Sequence, residues 1–379
     1  MVNVAFSASS FSGRNASGTA NLARNLVTNL YHHHKNRISP TLLFSSIEEV
    51  RTFENTYDLN VKKIILPSTR VQKNSLQFYK YAFDNRQNKQ FDIMHFTVPR
   101  YYPFYWEFPA NYFFCTYHAA GDIAVKHDNF VLSRTIYNFI AKQQWRKMTE
   151  IISVSPRATA EIHKYYEIPT KRIKHVFPGT DSLWFLNNES KLKGFDFENN
   201  SPYILILGRF QKFKNILNVI KSIDILRKNL LKDIKIIILA KNIGTDYNLV
   251  MKILNSWPRT AWEILEFLPE IDYQNILRNA QLVIHPSLNE GFGIPAFEAY
   301  GEGARLLIHN QTPAYDLLGN HNGVMSGDLS NLSEITHSIK SALDIQKGSI
   351  SKRREYLTSI GATWKAMAMN YANLYESYS

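Results

Sequence analysis

Short apolar runs recur along this chain, separated by stretches whose apolar positions repeat every three or four residues. Val2–Ser7, Thr41–Phe44, Lys63–Leu66, Ile93–Phe96, Tyr112–Tyr117 and Ile151–Val154 are such runs in the first half. Tyr203–Gly208, Lys235–Ala240, Leu282–His285 and Arg305–His309 follow in the second. Runs of this kind, bounded by turn residues, predict buried strands. Leu22, Leu26, Val27 and Leu30 keep helical spacing, as do Ile216, Val219, Ile220, Ile223 and Leu226. Strands alternating with helices predict an α/β protein with parallel, doubly wound sheets. In such sheets, ligands collect at the carboxyl ends of the strands.

The length of 379 residues suits two domains with ample core. Asn187-Asn188, Lys191, Lys193 and Asn199-Asn200-Ser201-Pro202 read as a polar linker. We therefore expect one Rossmann-like domain over 1–185 and a second over 201–360. The tail 361–379 keeps helical spacing at Trp364, Met367, Tyr371, Leu374 and Tyr378, a last helix.

Charge separates the halves. Residues 1–180 carry 23 Lys and Arg against 12 Asp and Glu, a net +11, while 181–379 carry 21 against 20. A basic first half suits an anionic partner: a membrane surface, a lipid-linked phosphate or nucleic acid. The single cysteine, Cys115, excludes an internal disulfide framework and reads as a small apolar residue. Met1–Phe6 has no basic segment and reads as a first strand, not a secretory leader. No apolar run approaches the ~18 residues of a membrane span. The expected location is the cytoplasm, with contact to the inner membrane face.

The chemistry gathers at strand ends. After Leu282-Val283-Ile284 come Glu290, Gly291, Phe292, Gly293, Ile294, Pro295 and Glu298. Glycines let backbone approach a ligand, and Pro295 suits a helix start. A strand, a glycine loop and a helix N-terminus make an anion site, here bracketed by two carboxylates, with Glu298 expected in the first helical turn. After Tyr203–Gly208 come Arg209, Lys212 and Lys214, cations delivered just before a helix. Guanidinium grips phosphate in two places, and ammonium acts as a point charge. A third strand, loop and helix run through Val2–Ser7 to Gly18. His95 and His118 close apolar runs; the first reads as a satisfied core histidine, the second as functional. Tyr101, Tyr102 and Trp106 belong to an aromatic segment whose flat rings suit sugar faces. His32-His33-His34 do not converge as metal ligands do and read as a solvated helix end.

Glu290-Gly-Phe-Gly-Ile-Pro-Ala-Phe-Glu298 resembles the signature of the retaining GT-B-fold glycosyltransferases of family 4. That resemblance implies two Rossmann-like domains facing a cleft, with the last helix crossing back to the first. It implies that Glu290 touches the donor sugar, that Glu298 holds the ribose, and that Arg209 and Lys214 bind the diphosphate with the amides around Phe292–Ile294. It carries Gly18 over to the diphosphate side, although Thr19-Ala20-Asn21-Leu22 departs from the family pattern there. His118 resembles the family's histidine beside the reacting sugar. Asp316 stands where relatives commonly carry Glu near the donor base. The implied donor is a nucleoside-diphosphate sugar carrying a hexose, with no cofactor and no metal. The chain lacks an Asp-x-Asp triplet. The implied acceptor is a glycan or lipid-linked glycan of bacterial surface polysaccharide, with Tyr101, Tyr102 and Trp106 on its side.

Two other readings stay open. A same-fold epimerase or phosphorylase would turn over sugar nucleotide without acceptor, or require phosphate. A nucleic-acid or polyanion binder would use the basic half, but it leaves Glu290 and Glu298 unexplained.

Overall fold

The computed structural model describes residues 1–8, 11, 18–68, 74–97, 105–118, 142–186, 202–228 and 230–378. They divide into two units, Met1–Gly179 with Thr363–Ser379, and Thr180–Ala362.

The first unit holds strands β1 (Val2–Ser7), β2 (Ile38–Phe44), β3 (Lys62–Ile65), β4 (Phe91–Phe96), β5 (Ala110–Tyr117), β6 (Glu150–Ser153) and β7 (Ile173–His175). Their order is β3-β2-β1-β4-β5-β6-β7, all parallel. The helices are α1 (Gly18–His34), α2 (Ile47–Thr56), α3 (Asn74–Asn85) and α4 (Pro156–Tyr166). Their starts are legible locally: Ser46 accepts from the Glu49 amide ahead of α2, and Ser155 from the Ala158 amide ahead of α4. Such caps satisfy amides that the helix itself cannot. Cys115 is buried within β5, and burial pushes its thiol pKa up.

The second unit holds β8 (Tyr203–Leu207), β9 (Lys235–Leu239), β10 (Trp262–Leu265), β11 (Leu282–His285), β12 (Leu306–His309) and β13 (Val324–Gly327). The order is β10-β9-β8-β11-β12-β13, again all parallel. Its helices are α5 (Ile216–Arg227), α6 (Tyr247–Leu254), α7 (Glu270–Asn279), α8 (Ile294–Gly301), α9 (Pro313–Leu318), α10 (Leu332–Asp344) and α11 (Ile350–Ser359). Fully buried Ile204, Ile206, Ile220, Ile236, Ile238 and Ile284 join strands and helices in one core. The sequence pattern did not predict β10 and β13. Both are edge strands, largely half-buried, and so lack an apolar run. In both sheets the chain reverses direction between its first and fourth strands. Crossovers diverge there and open a crevice at the carboxyl ends, between β8 and β11 in this unit.

Residues 180–185, expected in the N-terminal domain, lie in the second unit. The Thr180 amide and hydroxyl both donate to the Ala362 carbonyl, at 3.0 and 2.9 Å, and Gln274 donates to the Leu183 carbonyl. These bonds settle a segment whose sequence has no strong preference of its own.

The last helix, α12 (Trp364–Glu376), belongs to the first unit. Gly179 lies against Trp364: a Cβ there would stand 2.3 Å from the indole, so only glycine fits. Arg37 grips both oxygens of Glu376, at 2.8 and 2.5 Å. Beneath, His95 Nδ1 is 2.6 Å from the Tyr375 hydroxyl, and Nε2 is 2.8 Å from Thr116 Oγ1. Thr116 Oγ1 is in turn 2.8 Å from the Tyr371 hydroxyl. Burial, then the nearby His118, lowers the His95 pKa to about 3, so this ring is neutral and structural. His95→Leu strands buried hydroxyls, each costing about 1–3 kcal/mol. We expect the melting temperature of the first unit to fall by roughly 5–10 °C, read by calorimetry, with nucleotide affinity unchanged. Among the described residues, no helix is long and apolar enough to cross a membrane.

Candidate functional site

The loops after β8 and β11 meet at the crevice. The first runs from Gly208 through Arg209 to a short 3-10 turn, Lys212–Lys214, and Asn215 then starts α5. Asn215 sits at φ +60, a left-handed conformation that asparagine tolerates better than most residues. Its amide donates to the Leu329 carbonyl, and its oxygen accepts from Asn218 at 2.8 Å. That anchorage fixes Lys214, one residue earlier. The Leu288 amide donates to the Phe213 carbonyl at 2.8 Å, tying the two loops together.

Across this tie Lys214 forms an ion pair with Glu290, through Oε1. The His285 Nε2 stands 3.4 Å from the same oxygen. His285 is buried, and its Nδ1 has no hydrogen-bond partner among the described residues. Burial opposes the Glu290 charge, but the Lys214 ammonium and the His285 hydrogen bond outweigh it. They hold the carboxyl well below the usual range. Arg209, on the same loop as Lys214, is exposed, and its side chain has no partner among the described residues.

Gly293 is the N-cap of α8. Its φ of +93 suits glycine, and no side chain caps the helix. Phe292 stacks on Phe297 with centroids 4.2 Å apart and planes 6° from parallel, which pins the loop. The N-terminus of α8 thus stays uncapped by side chains next to Lys214 and Glu290. Because the helix begins at Ile294, Glu298 is its fifth residue and lies in the second turn, not the first as expected. The Glu298 carboxylate is buried, and Tyr273 of α7 donates to Oε2 at 3.1 Å. Burial raises its pKa to about 7; the Tyr273 bond works against that rise, and Glu270 and Glu302 add to it. Glu302 itself is fully paired, with Arg278 and Arg354 each 2.6 Å from one of its oxygens.

The structure therefore brings together Lys214, Glu290 and the Gly291–Ile294 loop, with Arg209 on the Lys214 loop and Glu298 in the second turn of α8. The remaining candidates belong to the first unit. Gly18 opens α1 with free space where a Cβ would stand. His118 Nε2 donates to the Thr97 carbonyl at 2.6 Å. Burial lowers its pKa to about 4 against that bond, so the ring is neutral. Trp106 is half-exposed in a short turn, with the Lys147 ammonium 5.5 Å from its ring. Tyr101 and Tyr102 lie outside the described residues.

Two residues escaped the sequence reading. His285 ends an apolar run at a strand's carboxyl end, the same signal that singled out His118. Tyr273 gives no local signal, since only the packing of α7 on α8 brings it to Glu298. Among the described residues, no three His, Cys, Asp or Glu side chains converge as metal ligands would.

Residues 187–362 match the family model described as glycosyl transferases group 1. The serotype-specific mannosyltransferase WbdA of Escherichia coli is 23% identical over 46% of this chain and 22% of its own length. The O-antigen chain mannosyltransferase RfbU of Salmonella typhimurium is 21% identical over 51% of each. This chain thus spans between about a fifth and a half of the length of these curated relatives. Among solved structures, Anabaena HepE in complex with UDP and glucose is similar with a TM-score of 0.64. It is 12% identical and covers 100% of this chain and 97% of that one. Residues 187–362 thus match the group 1 glycosyl transferases, in a chain with the two parallel-sheet domains of the GT-B fold.

Proposed function

We propose that this protein is a retaining glycosyltransferase that moves a hexose from a nucleoside-diphosphate sugar to a glycan or lipid-linked glycan, in bacterial surface polysaccharide synthesis. One observation carries the reading: Lys214 and Glu290 are paired in the loops after β8 and β11, the first of which also carries exposed Arg209 and the second of which leads into the start of α8, uncapped by side chains. Breaking a glycosidic bond leaves negative charge on the departing diphosphate. In this reading Arg209, Lys214 and the dipole of α8 stabilise that charge as it grows. Glu290, kept ionised, accepts hydrogen bonds from sugar hydroxyls. Glu298, one turn on, accepts from the ribose. Neither carboxylate is assigned as nucleophile; the acceptor attacks on the face the leaving group departs, and the departing phosphate takes the acceptor proton. Within the basic first half, Gly18 is assigned to the donor diphosphate, His118, neutral and fixed by Thr97, to catalysis, and Trp106 to the acceptor. That half meets an anionic membrane surface or lipid-linked acceptor at the inner face of the cytoplasmic membrane. The names of the mannosyltransferase relatives support a polysaccharide product, and the UDP and glucose of the HepE complex support a sugar nucleotide.

The test is a thermal-shift panel of GDP-mannose, UDP-glucose, UDP-galactose and their diphosphates, on wild type and Glu298→Ala. A bound ligand raises the melting temperature by mass action. One sugar nucleotide should stabilise the wild type and lose that effect in the variant. The product's anomeric configuration, read by NMR after turnover with a membrane fraction, then decides retention. If no nucleotide shifts the wild type, the reading fails.

A further inference from the structure

We propose that the Lys214–Glu290 pair makes this site prefer a sugar nucleotide to a bare nucleoside diphosphate. The inference rests on the sugar-nucleotide reading of the site and adds to it a basis for selectivity and for product release.

The geometry sets up a competition. As a cation on the loop that also carries Arg209, Lys214 suits a diphosphate, yet it is committed to Glu290. Both side chains are largely shielded, at 17% and 16% exposure. Shielding strengthens their attraction and raises the cost of leaving either one alone. A diphosphate that draws Lys214 toward itself leaves Glu290 as a shielded negative charge facing an anion. A bare nucleoside diphosphate offers that carboxylate nothing in return. A sugar nucleotide brings hydroxyl donors to the place that Lys214 vacates, and hydrogen bonds to a charged acceptor are the strong kind.

Two further features fit this exchange. Both partners of Glu290 sit on Oε1, and Oε2 has no protein partner among the described residues. When Lys214 turns away, His285 stays 3.4 Å from Oε1 and holds the carboxylate in place. Gly293 also keeps the approach open. A Cβ there would lie 3.6 Å from His285 Cε1 and 3.7 Å from Glu290 Cγ, filling the space above both. After transfer the sugar is gone, the pair re-forms, and the bare diphosphate loses its cation. Lys214 and Glu290 thereby favour product release.

Isothermal titration of UDP, GDP, UDP-glucose and GDP-mannose against wild type and Glu290→Gln tests this. The wild type should bind one sugar nucleotide more tightly than its diphosphate. Glu290→Gln frees Lys214, so the diphosphate should bind about tenfold tighter, the size of a typical coupling between two sites. The sugar nucleotide should bind no tighter, and the preference should vanish or reverse. Lys214→Met with Glu290→Gln should lose the gain, which locates it in Lys214. If Glu290→Gln melts far below wild type, Glu290→Asp, which withdraws the carboxylate by one methylene, is read the same way. A wild type that binds both ligands, with a variant whose diphosphate affinity is unchanged or weaker, overturns the inference and leaves the transferase reading standing. A wild type that binds neither overturns both.

Discussion

Replacing Arg209 with alanine should lower sugar-nucleotide turnover by about 10²–10³-fold, the usual loss when one donor to a developing anion is removed. The melting temperature of the ligand-free protein should not move. Those two results belong together because of where Arg209 stands. Its side chain is exposed and has no hydrogen-bond or ion-pair partner among the described residues, so the fold loses little with it. Exposed side chains without partners usually change stability by less than about 0.5 kcal/mol. Lys214→Ala should lose as much turnover and also melt lower, because it leaves the Glu290 charge shielded and without its main partner. Release of nucleoside diphosphate in the presence of a membrane fraction, beside a melting curve for each variant, checks both. An Arg209→Ala protein that keeps turnover within threefold of wild type would remove Arg209 from the site.

The second large effect concerns stability, and its sign is the opposite of most active-site mutations. Glu298→Gln should raise the melting temperature at pH 8 while weakening sugar-nucleotide binding by about 10–100-fold, the worth of a charged hydrogen bond. Burial, with Glu270 and Glu302, lifts the Glu298 pKa from 4.5 to about 7 against the Tyr273 bond. The folded protein therefore holds a proton that the unfolded chain releases at lower pH. Stability is complete below about pH 4.5 and is lost as pH rises toward 7, by about 3 kcal/mol once Glu298 is ionised. The amide carries no charge, keeps an acceptor for Tyr273 and escapes the loss. At pH 8 the variant should melt roughly 5–10 °C above wild type, and at pH 5 the two should nearly coincide. Wild-type affinity for a sugar nucleotide should also rise with pH up to about 7, since ribose hydroxyls donate best to the ionised carboxylate. Calorimetry at the two pH values settles the matter: a variant that melts below wild type at both would show that Glu298 imposes no electrostatic cost on the fold. Sites that hold an uncomfortable charge for function commonly gain stability when that charge is removed.

These predictions draw on features of unequal legibility. Local chemistry gave the sequence reading its reach. Apolar runs marked most strands, because a strand buried on both faces of a parallel sheet has no polar side to show. The glycine loop, the carboxylates around it and the cations ahead of α5 were visible because anion binding needs those residue types together with a strand end and a helix start. The edge strands β10 and β13 were not visible, since half-exposed strands mix polar and apolar residues. Nor could the sequence show that Lys214 and Glu290, 76 residues apart, are ion-paired. That contact exists because β8 and β11 are neighbours in the sheet, a consequence of strand order and not of any local preference. The same holds for His285 on Glu290, for Tyr273 on Glu298, and for the His95 network that secures α12. Residue type alone says which positions carry charge, which bend the backbone and which must be buried. Only the tertiary structure decided which charges share one oxygen and which are sealed from water, because pairing and desolvation depend on neighbours that the chain supplies from far away.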